Sequence, residues 1–338
     1  MEEKKFILQN SILIGGLGML RTFLIYLSKA NWMKEMMLNW GIARKVALRF
    51  VAGEKLEDAI LVAKNLNTKG MNATLDQLGE DTNTPEEARE TGEQIKEILN
   101  AIESSGVRAG ISLKLTQIGL DLSEDLCVEI LAGLAILARK YNNFIRVDIE
   151  DSPRVDATMR VYKRIQEEYK INNVGMVLQS YLYRAEEDLI ELLKSNTKIR
   201  MVKGAYTEPP TVAYQKKIEV DENFDSLMEI LMDAANNNNG PDVSKDGKWP
   251  PLPAAGTHDP ARVEFIKEYA RLIGLPKDKF EIQMLYGINK GLQDSLAAEG
   301  YPVRIYIPFG QEWYPYFMRR LAERPANLWF FLTALFRG

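Results

Sequence analysis

Eight short apolar or β-branched runs recur along the chain from residue 71 onward. They are MNATLDQLGE (71–80), ISLKLTQ (111–117), FIRVDIE (144–150), VGMVLQSY (174–181), IRMVKGAY (199–206), LPAAGTH (252–258), FEIQMLYG (280–287) and VRIYIPFG (303–310). Runs of this length, rich in Val, Ile and Leu, suit strands buried on both faces. Segments of helical period separate them at 87–102, 153–169, 186–194, 221–235, 260–272 and 311–324. Ser123, followed by Glu124 and Asp125, reads as an N-cap with an acidic first turn, and LCVEILAGLAILARKY behind it carries apolar residues at 3–4 spacing. Strands joined through helices form parallel crossovers, and eight such units match an α/β fold of the closed (β/α)8 TIM-type barrel. The rival, a doubly wound open sheet, would carry a glycine-rich phosphate turn after its first strand, and LDQLGED is not G-x-G-x-x-G.

Residues 30–70 read as helices ahead of the barrel, the second ending on Gly70 as a C′ glycine. The chain thus divides into a helical arm (1–70) and a barrel (71–338). Residues 236–249, NNNNGPDVSKDGKW, read as a surface loop between the fifth helix and the sixth strand. That is the N-terminal face of the barrel, away from catalytic loops, so the loop is expected to be a neutral insertion. Residues 6–20, FILQNSILIGGLGML, carry no charge, and Arg21 and TFLIYL follow. The run is shorter than the roughly 20 residues that span a bilayer. Lys4 and Lys5 imitate a signal n-region, but no small-residue cleavage site follows cleanly. Three readings stay open here: a packed or amphipathic helix, a membrane-surface contact, and a true span or signal.

Composition narrows the classes. The 338 residues carry 43 Lys+Arg against 47 Asp+Glu, a net charge of −4, which excludes a broad nucleic-acid footprint. With 27% charged and 46% hydrophobic residues, wholesale disorder is excluded too. The single cysteine, Cys127, cannot form an internal disulfide and lies on an apolar helix face, where core packing is its expected role. A reducing, cytoplasmic compartment is the simplest reading. One histidine, His258, argues against a His/Cys zinc site, and no metal is expected.

Active sites of such barrels sit at the C-terminal ends of the strands. The polar residues there are Asp76, Glu80, Lys114, Asp148, Glu150, Gln179, Arg200, Lys203, Thr257, His258, Asp259 and Tyr306, followed by Tyr316, Arg319, Arg320 and Glu323 on the last helix. A charge inside a parallel strand is costly unless it is paired or faces a site, so Lys114, Asp148 and Arg200 are not idle. Either they form a buried ion network that holds the barrel closed, or they serve a ligand, and a Lys114–Asp148 pair is compatible with both. Arg319 and Arg320 together suit one carboxylate or phosphate, with Tyr316 three residues before Arg319 and Glu323 four after it. The alternative for that pair is a solvated basic turn. His258 is either a base or a satisfied structural or ligand-contacting group. QEWYPY (311–316) and LWFFLTALF (328–336) read as core and lid packing.

Several segments carry a resemblance: SLKLTQIGLDLSED (112–125), VDIEDSPRVDATMRVY (147–162), VLQSYLYR (177–184), RMVKGAY (200–206), THDP (257–260) and YIPFGQEWYPYFMRRLAERPAN (306–327). In this order, and closed by Y-x-x-R-R-x-x-E at Tyr316 to Glu323, the chain resembles the monofunctional bacterial proline dehydrogenases over roughly residues 40–338. The resemblance implies noncovalent FAD on a distorted (β/α)8 barrel and oxidation of L-proline to Δ1-pyrroline-5-carboxylate by hydride transfer to flavin N5, the first step of proline catabolism. It also implies a membrane quinone as electron acceptor and transient contact with pyrroline-5-carboxylate dehydrogenase. By the same resemblance, Arg319, Arg320 and Lys114 bind the proline carboxylate, and Tyr306, Tyr316 and Leu285 shape the pocket. Asp148 supports the substrate shell and Glu323 the arginines. Arg200 approaches flavin N5, Gln179 meets the pyrimidine edge, and Lys203, Gly204, Ala205, Thr257 and His258 line the ribityl and pyrophosphate part. Three cations facing one carboxylate form an orientation device, and a cation near the flavin tunes its reduced form. Residues 6–29 are more apolar than the family's arm, which fits weak peripheral attachment of a cytoplasmic protein to the inner face of the cell membrane. The competing functions are another flavin barrel, such as methylenetetrahydrofolate reductase, and a non-catalytic barrel that binds an anionic metabolite.

Overall fold

The computed structural model describes residues 48–79, 82–237 and 243–323, with 319–323 described by their backbone alone. The apolar stretch 6–29, Glu80 and the aromatic tail 328–336 lie outside the described residues. Eight parallel strands close into a barrel in chain order, β8 pairing with β1. They are β1 (Asn72–Gln77), β2 (Ala109–Lys114), β3 (Ile145–Asp148), β4 (Val174–Gln179), β5 (Ile199–Val202), β6 (Pro253–Gly256), β7 (Glu281–Leu285) and β8 (Val303–Phe309). Around them lie α1 (Leu56–Thr68), α2 (Pro85–Ser105), α3 (Glu124–Lys140), α4 (Ser152–Tyr169), α5 (Ala185–Leu193), α6 (Lys217–Asn237), α7 (Pro260–Ile273), α8 (Lys290–Ala298) and α9 (Trp313–Glu323). No helix among the described residues is long and apolar enough to cross a membrane.

Local chemistry sets the helix ends. Thr84 accepts from the Glu87 N–H at 3.2 Å and Glu87 reaches back, a capping box ahead of Pro85, while the left-handed Gly106 (φ 66°) closes α2. Ser123 caps α3 as the sequence suggests. Helix α8 falls in a stretch where no helical pattern stands out. It is nine residues long and buries only Gln293 and Leu296, too little apolar periodicity to register. Seven of the eight strands fall within their runs, each shorter than its run, and β2 begins two residues ahead of its run, at Ala109. Strand β2 stops at Lys114, where a 3₁₀ turn over Leu115–Ile118 takes over, and β3 stops at Asp148. Most of the leftover residues of the runs follow their strands, at the C-terminal mouth.

The strands are buried on both faces, but the two faces differ in kind. Leu75, Leu113, Val147, Met176, Met201, Met284 and Ile305 point outward and pack with Leu99, Ile102, Leu131, Leu134, Ile165 and Leu227 of the helices. The positions between them face the barrel axis, and they are mostly polar. Register places Thr74 beside Gly110 and Tyr306, Asp76 beside Ser112, Lys114 beside Asp148, and Gln283 beside Arg304. The apolar core is therefore a sleeve between strands and helices, and the barrel's own interior is a column of polar and charged groups.

The bottom of that column corrects one expectation. Residues 243–250 do lie at the N-terminal face, but they are not a neutral insertion. Arg304 donates to Gly247 O at 2.9 Å, and Trp249 Nε1 donates to Asn142 O at 3.0 Å and packs on Phe144 at 5.7 Å between centroids. Lys248 reaches Glu103 at 2.7 Å and Tyr141 O at 3.1 Å. Few apolar side chains are needed because backbone carbonyls and one indole do the anchoring. Gly247 is left-handed (φ 67°), and a Cβ there would stand 2.2 Å from Asn72 Oδ1. Above this plug, Arg304 and Glu281 form a fully buried pair at 2.8 and 3.1 Å, and Arg304 Nη1 donates to Ala73 O. We predict that Arg304→Met, which strands Glu281, lowers unfolding free energy by about 3–5 kcal/mol. Urea unfolding followed by circular dichroism checks this; a loss below 1 kcal/mol would show that the pair does not hold the barrel floor.

Candidate active site

The C-terminal half of the polar column converges on Asp148, the last residue of β3. Its Oδ1 accepts from Ser112 Oγ at 2.6 Å and from Arg200 Nη2, and its Oδ2 accepts from the Tyr306 hydroxyl at 2.7 Å. Arg200 Nη1 donates onward to Gln283 Oε1 at 3.2 Å, and its guanidinium lies 5.2 Å from the Tyr306 ring centroid. Four strands thus meet at one carboxylate. Burial pushes that carboxyl up, but Arg200, Lys114 and the two hydroxyl donors outweigh it and hold Asp148 below the usual range. Burial and then Asp148 raise the Tyr306 phenol well above its ordinary value, so it keeps its proton.

Lys114 does not pair with Asp148 at contact distance. Its ammonium is 4.0 Å from Asp76 Oδ2, a residue 1% exposed at the end of β1. Burial lowers the Lys114 ammonium, but Asp76 and Asp148 together raise it, so it stays charged. For Asp76 burial wins and its carboxyl is raised. Glu150 serves structure: it is buried and accepts from the Thr116 N–H and hydroxyl at 3.2 and 2.9 Å, tying the loops after β2 and β3.

The other side of the mouth is formed by the ends of β4 to β7. Gln179 is buried, and its Oε1 has no hydrogen-bond partner among the described residues. Lys203 bridges Asp221 at 2.5 Å and Asp259 at 2.8 Å. Beside it Gly204 has φ 110°, and a Cβ would stand 2.4 Å from the Tyr181 ring, so the chain can pass there only as glycine. Ala205 is exposed next to it. Thr257 is buried and its hydroxyl accepts from the Asp259 N–H. His258 Nε2 accepts from the Leu285 N–H at 3.2 Å, which fixes a tautomer and commits that nitrogen, so it is not a free base there. Tyr316 is buried on α9, and Arg319, Arg320 and Glu323 continue the same helix; the side chains of these three lie outside the described residues.

Two members of the network, Ser112 and Gln283, escaped the sequence reading. Both are neutral and carry no charge-in-strand signal; strand parity is the cue that points them inward. The depressed carboxyl of Asp148 has a sign that can be tested. A group whose folded pKa is lowered adds stability above its unfolded value, about 3.9, and loses it as pH falls through the folded value. Asp148→Asn should therefore cost stability at pH 7, and the difference from wild type should shrink below pH about 4. Urea midpoints at pH 7 and pH 3 measure it; an equal deficit at both would mean the carboxylate's charge is not what matters.

The comparisons agree with one another. The family model for proline dehydrogenase matches residues 59–331. Proline dehydrogenase 2 of Bacillus subtilis (strain 168) is 37% identical over 310 residues, 92% of this chain and 96% of that protein. Proline dehydrogenase of Deinococcus radiodurans is 38% identical over 302 residues, 88% and 91% of the two chains. A crystal structure of proline utilization A (PutA) from Bdellovibrio bacteriovorus, inactivated by N-propargylglycine, superposes with a TM-score of 0.74 at 23% identity, covering 83% of this chain and 33% of that one, and so shares its fold. A closed eight-strand barrel, a charged cluster at its C-terminal mouth and near full-length similarity to curated members lead to one assignment: the chain belongs to the proline dehydrogenase family.

Proposed function

We propose that the chain holds FAD noncovalently and oxidises L-proline to Δ1-pyrroline-5-carboxylate, delivering electrons to a membrane quinone. Proline oxidation, the first step of its catabolism, is the activity of the family. The cofactor is our reading, and one feature fits it: the buried, unpartnered Oε1 of Gln179 suits an N–H donor such as a flavin's pyrimidine edge. Gln179 and Arg200 would hold the ring system, and Lys203, Gly204, Ala205, Thr257 and His258 the ribityl and pyrophosphate part. When bound, the flavin supplies a hydride acceptor at N5.

The observation that carries the reading is the charge balance at the mouth. Within the barrel's upper column, Asp76 and Asp148 are matched by Lys114 and Arg200. An added carboxylate needs further cations, and Arg319 and Arg320 on α9 supply them in sequence. Lys114, Arg319 and Arg320 would orient the substrate carboxylate, with Glu323 bracing the arginines. Tyr306, Tyr316 and Leu285 would wall the ring. Asp148 stays ionised and holds Arg200 and Tyr306 in place rather than moving a proton.

Purified protein should be yellow, release FAD on heating, and reduce a soluble dye with L-proline. Lys114→Met, Arg319→Met and Arg320→Met should each lower kcat/KM for proline by about 10- to 150-fold, the worth of one charge-assisted contact of about 1.5–3 kcal/mol. The flavin-to-protein absorbance ratio should stay at the wild-type value. FMN in the extract, or unchanged proline KM in all three variants, would overturn the assignment of these roles.

Because quinone is lipid-soluble, we place the protein in the cytoplasm, attached weakly to the inner membrane face through residues 6–28 and 328–336. Transient contact with pyrroline-5-carboxylate dehydrogenase belongs to the same reading. Removing residues 1–28 should lower activity with membrane quinone and spare activity with soluble dye. Equal loss with both acceptors would assign that segment to folding instead.

A further inference from the structure

One side chain inside the barrel joins the mouth to the floor. The inward face of β7 reads Glu281, Gln283 and Leu285 from bottom to top, while Ile282 and Met284 between them pack into the apolar sleeve. Gln283 is buried, and both ends of its amide are used. Its Oε1 accepts from Arg200 Nη1 at 3.2 Å, and its Nε2 donates to Glu281 Oε1 at 2.7 Å. Glu281 in turn accepts from Arg304 Nε and Nη2, and Arg304 Nη2 also donates to Gly247 O. An unbroken line of buried hydrogen bonds therefore runs from Asp148 through Arg200, Gln283, Glu281 and Arg304 to the plug.

The residue type is what this position demands. Arg200 can only donate, and a carboxylate paired with Arg304 can only accept. A neutral amide meets both, with its oxygen toward the one and its NH2 toward the other, and that orientation follows from the partners. A glutamate would set a second carboxylate against Glu281. A leucine would strip Arg200 Nη1 and Glu281 of a buried partner each.

Arg200 is gripped from two sides. Asp148 on β3, two strands away in one direction, holds Nη2, and Gln283 on β7, two strands away in the other, holds Nη1. The Tyr306 ring lies against the same guanidinium at 5.2 Å. One hydrogen bond lets a guanidinium pivot, whereas a second on its other terminal nitrogen fixes its plane. We infer that Gln283 is a positioning residue for proline oxidation, holding the plane of the Arg200 guanidinium so that its charge faces the flavin ring. The inference rests on the reading that sets Arg200 beside flavin N5. Gln283 acts through Arg200 and not on the reacting atoms, and the Glu281–Arg304 pair beneath keeps its amide from turning.

Wild type, Gln283→Met, Arg200→Met and the double variant test this as FAD-loaded enzymes. Gln283→Met keeps the bulk and removes both hydrogen bonds. It should slow anaerobic flavin reduction by saturating L-proline about 10- to 100-fold, with the half-saturating proline concentration near wild type. The midpoint potential of its bound flavin should fall by about 30 mV, a tenfold weaker hold on the two-electron-reduced form. In the Arg200→Met background the same change should do almost nothing more. Additive losses, or a wild-type reduction rate and potential in Gln283→Met, overturn the role. If Gln283→Met does not fold, a crystal structure of the FAD-loaded wild type decides. Arg200 Nη1 within hydrogen-bond distance of Gln283 Oε1 supports the role, and a guanidinium turned away from Gln283 overturns it. A wild type that carries no flavin overturns the reading of the mouth itself, and the role falls with it.

Discussion

A closed tube of eight strands has an inside that water reaches only from its ends, and in this protein that inside is polar. The matching of charges along the axis is the constraint on which the rest depends. An unpaired ion there would be expensive, and each finds its partners on other strands: carboxylates for Lys114, Arg200 and Arg304, and the Met176 carbonyl for Arg146. Asp148 is where this is most concentrated: groups from β2, β5 and β8 all donate to one carboxylate on β3. Lower down, Arg304 and Glu281 do the same for the floor. These side-chain bonds between strands add to the backbone ladder, and they leave the apolar sleeve outside to supply the bulk of the burial.

The same matching shapes the chemistry. A mouth whose fixed charges already cancel does not bind an anion strongly by itself; it offers a rigid, oriented surface. In the reading proposed above, affinity comes from the helix that follows β8: the barrel holds its groups in place while the last helix brings the cations to the substrate. Tyr306 keeps its proton and Asp148 stays charged, so the network positions its neighbours without exchanging protons with them.

Much of the fold was legible because a buried strand leaves a dense apolar signature and a helix leaves a period. Where the signature was thin, as in α8, it was missed. The run rule reads burial but not polarity, so it could not show that Ile145 and Val147 face the helices while Arg146 and Asp148 face the axis. Charges inside strands gave away Lys114, Asp148 and Arg200, whereas Ser112 and Gln283, being neutral, gave no sign. The Lys114–Asp148 pair that opposite charges in strands allow does consist of register neighbours, but Asp76 on the other flank takes the ammonium. The segment after α6 looked inert because it is poor in apolar residues, and its anchors are a backbone carbonyl at Gly247 and the single ring of Trp249. The roles of Arg319, Arg320 and Glu323 rest on the family pattern.

The two-faced strands also limit how this protein can change over time. In a strand, shifting the register by one residue exchanges the two faces. Adding or removing one residue within β3 would turn Arg146 and Asp148 into the greasy sleeve and thrust Ile145 and Val147 into the polar axis. Every cross-barrel partner would be lost at once. The lineage can therefore explore substitutions within its strands but must keep their lengths, and its insertions belong in the connections. The connection between α6 and β6, whose residues 243–250 are bonded to the barrel floor, shows that such a stretch can also serve the structure.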